Sequence, residues 1–410
     1  MPAQTDCASP PPAKPLDLRL AWQRFDACNR ELVTARRVAA GAGADRLIAE
    51  QSPNPSLTAG VGAINPALGI GPGGPTSKTI DTSIRVDQVI ERGGKLALRR
   101  RNAERLVAAA ELDVAEVRRQ QGAAMLLAMV DLASAMQRVV LLTEVTHLYD
   151  ESARANAQRL ARGDIARMDV QRQAIDALRA QADLRQAQGD IQRARVAVAS
   201  ALAWEAYASS LAVDLSMLDI DADIERAPDP QERADVRAAR RRLEAAAATR
   251  DLARAQATAD VTLGAQFDHY PSSANNPNGT GNTFAISASI PFLVRHRYEG
   301  EIAKAANDYY AADENVRRAL ASAASEWSRI AQDLATALAR WRLLNDQVAP
   351  QAEAVVRAAE TGYARGALGV LDLLEARRVA RQTGLDLLAA RADVARAHGA
   401  RQAWLLAQDK

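Results

Sequence analysis

The chain has 410 residues, of which 48% are hydrophobic, 25% charged and only 4% aromatic. Alanine supplies much of the apolar content, in stretches such as "RRLEAAAATRDLARAQATA". Alanine combined with charge is typical of long helices packed as coiled coils, since a compact core uses more large side chains. The net charge of +2 and the alternation of arginines with acids argue against a nucleic-acid-binding surface.

The N-terminal stretch holds both cysteines, Cys7 and Cys28, on either side of a proline-rich segment. A disulfide between them is possible, but neither lies in a cluster and we expect ordinary thiols. Cys7 follows Gln-Thr-Asp, which is not the context of a lipoprotein processing site. We expect residues 1–15 to be disordered, and the start has no signal-peptide pattern, as at a mature or engineered N-terminus. No stretch is predicted to form a transmembrane helix.

Two segments of the chain repeat the same order of elements. The first repeat is 16–208, an equatorial linker follows at 209–230, and the second repeat is 231–410. Each repeat is predicted to contain a helix, two short strands and a long helical hairpin. In the first repeat the predicted bounds are helix 16–51, strands 56–64 and 79–88, and hairpin helices 95–161 and 168–207 with a tip at about 162–169. In the second repeat they are helix 231–258, strands 260–269 and 282–291, and hairpin helices 299–362 and 370–408 with a tip at about 363–372.

Local motifs recur between the two repeats. Arg162-Gly163 and Met168-Asp169-Val170 in the first correspond to Arg365-Gly366 and Leu371-Asp372-Leu373 in the second. A nearly fixed offset over half the chain indicates an ancient duplication.

The second long hairpin carries an apolar seam whose steps alternate between four and three residues. Such a seam faces another helix along its whole length. Its members are Val316, Leu320, Ala323, Trp327, Ile330, Leu334, Ala337, Trp341, Leu344 and Val348.

The strands alternate apolar and polar residues, as in "TIDTSIRVDQ" and "TFAISASI". Strands of about ten residues with one apolar face suit a membrane β-barrel, and a half-buried sheet in a soluble α+β protein is the alternative. Because four strands are too few to close a pore, the barrel requires several subunits. The loops at 65–78 and 270–282 would then lie outside the cell.

The ordered motifs resemble the TolC-like outer membrane factor family over nearly the whole chain. They are "PNPSLTAGVG", "RADVRAARRRLEAA", "ISASIPF" followed by "RYEGEIAKA", and "GYARGALGVLDLLEARR". "IERGGKLALR" is similar to the Glu-x-Gly-Gly-Lys stretch of the branch that serves heavy-metal efflux (cobalt–zinc–cadmium, nickel or copper).

The resemblance implies a mainly α-helical subunit with a membrane β-barrel portion. It implies a homotrimer with a twelve-strand barrel in lipid of the Gram-negative outer membrane, and an α-helical tunnel through the periplasm. A periplasmic adaptor protein and an inner-membrane pump of the RND type are the implied partners. The pump supplies the energy, so neither a cofactor nor an enzyme activity is expected.

The resemblance also implies heavy-metal cations as cargo. A drug or protein-secretion exit duct of the same family is one alternative, and a soluble coiled-coil scaffold or adaptor is another. No metal site is expected in the chain itself, because its four histidines are scattered. They are His147, His269, His296 and His398.

The resemblance assigns a periplasmic constriction to the second tip. In the family, acidic residues at the positions of Asp372 and Glu375 form this constriction, and Tyr363 matches a position in the closing network. The arginine of that network falls at Leu368 here. Asp169 corresponds to Asp372 in the first repeat, and helix capping is the alternative role for both aspartates.

The hairpin tips are the predicted contacts of the adaptor protein. They comprise Arg162 and Gly163 in the first repeat and Arg365, Gly366 and Leu368 in the second. Each glycine is expected to end the incoming helix.

Overall fold

The computed structural model describes residues 7–62, 64, 66–67, 71, 80–163, 165–218, 228–272 and 281–406. The two predicted outer loops and the second half of the predicted linker lie largely outside these residues, as does position 164 in the first tip.

Within the described residues the chain forms eight α-helices and four β-strands. The helices are α1 (Leu18–Cys28), α2 (Arg30–Ala49), α3 (Lys95–Ala161), α4 (Arg167–Leu202), α5 (Ala234–Gln256), α6 (Glu299–Leu343), α7 (Ala349–Ala364) and α8 (Val370–Leu406). The strands are β1 (Ser56–Gly62), β2 (Asp81–Ile90), β3 (Val261–Tyr270) and β4 (Gly281–Ser289).

The predicted helix 16–51 is divided at Asn29. This residue is extended at ψ 125°, and its side-chain Oδ1 accepts a hydrogen bond from the N–H of Leu32 at 3.0 Å. The Asn29 side chain therefore acts as an N-cap for α2. Its Nδ2 also donates to the carbonyl of Ala201 at 3.0 Å, so the break is fixed by a contact with α4.

The predicted helix 299–362 is divided by a π-helical turn, Leu344–Val348. Pro350 lies at the start of the following helix, and because proline has no N–H it cannot continue the ordinary ladder. The apolar seam is buried before this turn, at Ile330 and Leu334, whereas Val348 is 36% exposed. The predicted register therefore holds up to the turn.

Two compact units take parts of both predicted repeats. The first contains Met1–Arg37, Leu112–Arg237 and Ala319–Lys410, and the second contains Val38–Glu111 and Ala238–Arg318.

The core of the first unit lies among α1, α3, α4 and α8. Its buried side chains include Phe25, Met129, Leu132, Leu202 and Ala395. The described part of the predicted linker joins this core too, through Leu211, Val213 and Leu218. These residues pack as part of the unit, whereas the sequence suggested a simple connection.

One helix is long and apolar enough to cross a membrane by length and composition, contrary to the sequence-based expectation. It is α3, with a window of mean hydropathy 1.7 of which 39% is buried. In the first unit α3 supplies Met125, Met129 and Leu132 to the core. A helix that packs in a core passes the same test, so its hydropathy carries no evidence for a span.

The expectation of free thiols is wrong, because Cys7 and Cys28 form a disulfide. The expectation that residues 1–15 are disordered is also wrong for residues 7–9. Arg24 donates to Ser9 Oγ at 3.2 Å, and Trp204 Nε1 donates to the Ser9 carbonyl at 2.9 Å. The sequence spacing gave no sign of this because the partners come from α1 and the end of α4.

A buried ion network joins three distant segments of the first unit. Arg119 contacts Glu116 at 2.8 Å and Glu326 at 3.0 Å. Arg233, 2% exposed, contacts the same Glu326 and also Asp235, both at 2.7 Å. Burial alone lowers the pKa of Arg119, but hydrogen bonds and charge from the two glutamates outweigh it and raise that pKa.

The second unit contains a four-stranded antiparallel sheet in the order β1-β2-β3-β4. The outer edges of β1 and β4 have no strand partner among the described residues. Asp260, just before β3, accepts from Lys95 Nζ at 2.8 Å and from the N–H of Arg92 at 2.9 Å. These bonds lower the pKa of Asp260, although burial opposes them.

We expect Leu334→Pro to prevent folding of the first unit. Leu334 is 1% exposed, and proline removes a helical hydrogen bond and clashes with the preceding turn. Leu334→Ala keeps the helix and is expected to cost about 3 kcal/mol through the cavity against Leu338 and Val394. Urea unfolding followed by circular dichroism measures both.

Asp333→Ala is the matched control, since Asp333 is exposed and pairs with Arg329 on the same helix. Its expected effect is within about 0.5 kcal/mol. Equal losses for Asp333→Ala and Leu334→Ala would contradict the assigned register.

Candidate functional site

The second hairpin tip is a Schellman motif. Gly366 has φ +71° and donates to the carbonyl of Tyr363 at 3.1 Å, while Ala367 donates to that of Gly362 at 2.8 Å. These two bonds satisfy carbonyls at the end of α7, and the left-handed conformation at position 366 favours glycine. Gly366 therefore ends the incoming helix, as predicted.

Leu368 folds back over α7 at this tip. A Cβ on Gly362 would lie 2.7 Å from Leu368 Cδ1, so the absence of a side chain at Gly362 makes room for the leucine. Leu368 remains 40% exposed.

The first tip ends its incoming helix in a similar way. Gly163 has φ +79° and donates to the carbonyl of Leu160 at 3.0 Å. Arg162, like Arg365 in the second tip, is exposed beside its glycine. Ala166 precedes α4 and makes no side-chain capping bond.

Asp372 and Glu375 lie on the first turns of α8, on a ridge between two grooves. One groove is shared with Arg172, Asp176 and Arg378 of the same unit. Asp372 Oδ2 accepts from the N–H of Gly369 at 3.1 Å, which is the backward half of a capping box. Glu375 contacts Arg378 at 3.0 Å, so its charge is partly neutralised.

Asp169 lies apart from that groove, in the first turn of α4. Its carboxylate is 3.8 Å from Arg172, the residue that the sequence-based alignment of the two hairpins places opposite Glu375. A negative charge in the first turn interacts favourably with the helix dipole. The residue before α4 makes no side-chain capping bond.

Tyr363 contacts the first hairpin, at residues that the sequence did not single out. Arg159 donates to Tyr363 Oη and lies 5.0 Å from the centre of its ring. Tyr363 Oη donates to Asn156 Oδ1 at 3.4 Å, and Asn156 Nδ2 donates to Gln173 Oε1 at 2.6 Å. Asn156 and Gln173 are buried, so this polar chain links α7 to both helices of the first hairpin.

Arg378 links the second hairpin to the first from the other side. It contacts Asp176 of α4 at 3.0 Å, and Asp176 is 8% exposed. The hydrogen bond and charge of Asp176 raise the pKa of Arg378. The sequence signal that could have pointed to this contact is the position of Asp176 beside Ala177 and four residues before Ala180, on the alanine-lined face of α4, where a carboxylate needs a partner.

One face of the sheet is apolar and exposed. Two rows of directly paired residues cross all four strands on this face, and paired residues share a face. The rows are Leu57–Val86–Ala265–Ile286 and Ala59–Ile84–Phe267–Phe284. Ile286 is 91% and Phe284 85% exposed, which is an unusual environment for large apolar side chains in water.

The opposite face is polar and internally bonded. Arg85 Nε donates to Asp87 at 2.7 Å, and other Arg85 nitrogens donate to Gln266 and Ser287. A Cβ on Gly264 would lie 2.5 Å from Asp87 Oδ1, so a larger residue at this position would displace the side chains of the ion pair.

The "ERGGK" stretch forms the junction between β2 and α3. Arg99 donates to Glu91, and Lys95, 4% exposed, pairs with Asp260. Gly93 has φ +71°, and a Cβ at this position would lie 3.2 Å from the carbonyl oxygen of Ala255 and from Thr258 Cβ. The stretch therefore has a structural role at this junction. Among the described residues there is no group of three or more His, Cys, Asp or Glu that could hold a metal ion.

A family model described as "Outer membrane efflux protein" matches residues 23–203 and 230–400, most of the chain. The chain belongs to the outer membrane efflux protein family. This is a family of outer-membrane channels that work with adaptors and inner-membrane pumps in tripartite systems, and it is not an enzyme family.

Solved structures of outer-membrane channels have the same fold. VceC from Vibrio cholerae is 21% identical with a TM-score of 0.79, covering 94% of this chain and 95% of its own. MtrE from Neisseria gonorrhoeae, in its open state, is 19% identical with a TM-score of 0.76, covering 95% and 88%. CusC is 18% identical with a TM-score of 0.71, covering 94% and 91%. No curated protein matches the chain.

We expect Tyr363→Phe to loosen the second tip while preserving the ring. The loss of the hydroxyl removes the bonds to Arg159 and Asn156, which should cost about 1 kcal/mol. That loss corresponds to roughly fivefold faster amide hydrogen exchange at 362–369. Thr361→Ala is the control, because its hydroxyl bonds only within α7, to Arg357. Equal exchange rates in the two variants would show that the Tyr363 hydroxyl does not stabilise the tip.

Proposed function

We propose that this chain is the outer-membrane exit duct of a tripartite efflux system. Three copies form a twelve-strand barrel in the outer membrane, and their helical hairpins form a tunnel through the periplasm. The tunnel receives heavy-metal cations from a periplasmic adaptor and an inner-membrane pump of the RND type.

The observation that carries the proposal is the division of the sheet into two faces. Large apolar side chains such as Phe284 and Ile286 are exposed on one face, and the Arg85–Asp87 pair lies on the other. Lipid solvates the first face and a water-filled lumen the second. A water-soluble scaffold would bury the apolar face against its own helices.

The open edges of the sheet support the oligomer. Backbone groups within a bilayer must be hydrogen-bonded, so a membrane sheet has to close on itself. The free edges of β1 and β4 can close by pairing with the β4 and β1 of other copies. Three copies of four strands give the twelve that the family resemblance implies.

The Cys7–Cys28 disulfide supports a location in the cell envelope. Disulfides persist in the periplasm and are rare in the cytosol, where thiols are kept reduced. The helical part of the duct would lie in this oxidising compartment.

The choice of cargo rests on the resemblance of the "ERGGK" stretch to the heavy-metal branch. Because Lys95 and Glu91 of this stretch pair internally, with Asp260 and Arg99, these two charges offer no site for cargo. An exit duct has no need for such a site, and the pump or adaptor would select the ions.

The two tips are proposed to contact the adaptor. Arg162, Gly163, Arg365 and Gly366 are exposed at the ends of the hairpins, and Leu368 adds a partly exposed apolar side chain beside them.

The first test is the mass of the purified protein in detergent by light scattering coupled to size exclusion. We expect three chains of 44.0 kDa and aggregation when detergent is removed, because the apolar face then has no solvent. A monomer or dimer that stays soluble without detergent would refute the barrel and favour a scaffold.

Adjacent residues of β4 provide a matched pair for the same test. Ile286→Arg places a charge on the lipid face, with an expected cost of about 2–4 kcal/mol and loss of the membrane-inserted trimer. Ala285→Arg places it on the polar face, and the trimer should form normally. Both residues are exposed, so a difference between them reports the lipid and not a disturbed core.

We expect Asp372→Asn to weaken cation preference in single-channel recordings. Asparagine can still accept the hydrogen bond from Gly369, so this variant removes charge and keeps the cap. In the trimer the substitution removes three carboxylates that attract cations. Glu375→Gln should have a smaller effect, because Arg378 already pairs with Glu375.

Asp372→Ala removes both the charge and the cap. If Asp372 serves only as a cap, Asp372→Asn will leave selectivity unchanged and Asp372→Ala will lower stability by about 1 kcal/mol. That result would reject the constriction role.

A further inference from the structure

The N-terminal disulfide closes a capping structure that the proposed duct does not use. We propose that the Cys7–Cys28 bond is a staple that holds residues 7–9 over the end of α4, and that the chain depends on a dithiol-oxidising partner in the cell envelope to form it.

The end of α4 is completed by side chains from α1 and its cap. α4 ends at Leu202, and Ala203 has a left-handed conformation with φ 53°. Arg24 donates to the carbonyl of Leu202 at 3.1 Å and to that of Ala203 at 3.2 Å, and Asn29 donates to that of Ala201. Carbonyls at a helix end need such partners, and Arg24 supplies them for the carbonyls of Leu202 and Ala203.

Residues 7–9 in turn hold Arg24. Arg24 is 7% exposed. Its guanidinium lies 4.8 Å from the centre of the Trp204 ring and donates to Ser9 Oγ and the Cys7 carbonyl. Trp204 Nε1 donates to the Ser9 carbonyl. Undocking of this segment would leave a buried charge and an indole N–H with fewer partners, which is unfavourable.

The segment docks through contacts with Arg24 and Trp204, and the disulfide adds a covalent link. Residues 7–15 form no helix or strand, and the next backbone contact is the pairing of Leu16 with Val213. The disulfide links residues 21 positions apart. A cross-link of this span restricts the unfolded chain and so favours the docked state.

Formation of the bond needs an electron acceptor. The thiolate of Cys7 attacks the partner's disulfide and forms a mixed disulfide, releasing one partner thiol. The thiolate of Cys28 then attacks Cys7 Sγ and releases the second partner thiol. Two electrons pass to the partner, and the two protons lost by the cysteines are balanced by the two thiols formed. A Cys7 sulfur bound in this way is not available for acylation.

The test compares wild type with Cys7→Ser/Cys28→Ser, each expressed with and without the host's periplasmic dithiol oxidant. We measure trypsin cleavage after Arg19 and Arg24 in α1. Oxidised wild type should resist, whereas wild type from the oxidant-deficient host should be cleaved on the order of tenfold faster or more. The double variant should be cleaved at that faster rate from either host.

Chemical reduction of purified wild type gives the same comparison if the double variant does not fold. Equal cleavage of oxidised and reduced protein would overturn the staple, and full oxidation in the deficient host would overturn the need for a partner. A diacylglycerol on Cys7, detected by mass spectrometry, would overturn both. The inference needs only the envelope location, so its failure is distinguishable from failure of the trimer or the cargo.

Discussion

The first unit depends on one shared carboxylate, Glu326, between two buried arginines. Glu326 bonds Arg119 with one oxygen and Arg233 with the other, and it does so only when α3, the start of α5 and α6 lie in a single relative register. Removing such ions from water costs several kcal/mol each, which close hydrogen-bonded contacts offset in large part. The network therefore contributes less to the net stability of the unit than to specifying which helices pair and in which register. Alanine-rich helix faces are alike and would otherwise permit several alignments.

The two units place their large apolar side chains in opposite ways. In the first unit side chains such as Met129 and Leu132 are buried between helices. In the second, Ile286 and Phe284 project outward from a sheet whose polar residues bond one another. This contrast explains why the composition resembles a soluble coiled-coil protein. Apolar residues of the sheet are too few to alter the totals, although their arrangement on one face is the feature that supports the proposed membrane barrel.

Periodicity predicted the order of the elements and most of their bounds, because a long helix repeats its pattern many times. The predicted helix 168–207 is an exception, since α4 ends at Leu202, where Ala203 is left-handed. The ends of α3 at Lys95 and Ala161 were both predicted, and the four strands lie within a few residues of their expected bounds. Single contacts between distant segments were not predictable. The break at Asn29, the Cys7–Cys28 bond and the contact of Tyr363 with Arg159 each depend on a partner that only the folded chain brings near.

The two tips treat their acids in related ways. In the first, Asp169 lies beside Arg172. In the second, Glu375 lies beside Arg378, which also reaches Asp176 on the neighbouring hairpin. Asp372 differs, since the contact found for its carboxylate is the uncharged N–H of Gly369. In the proposed trimer, three-fold symmetry would bring such charges together at the proposed constriction. Because a paired acid contributes little net potential, Asp372 is the residue of this group best suited to influence the passage of ions.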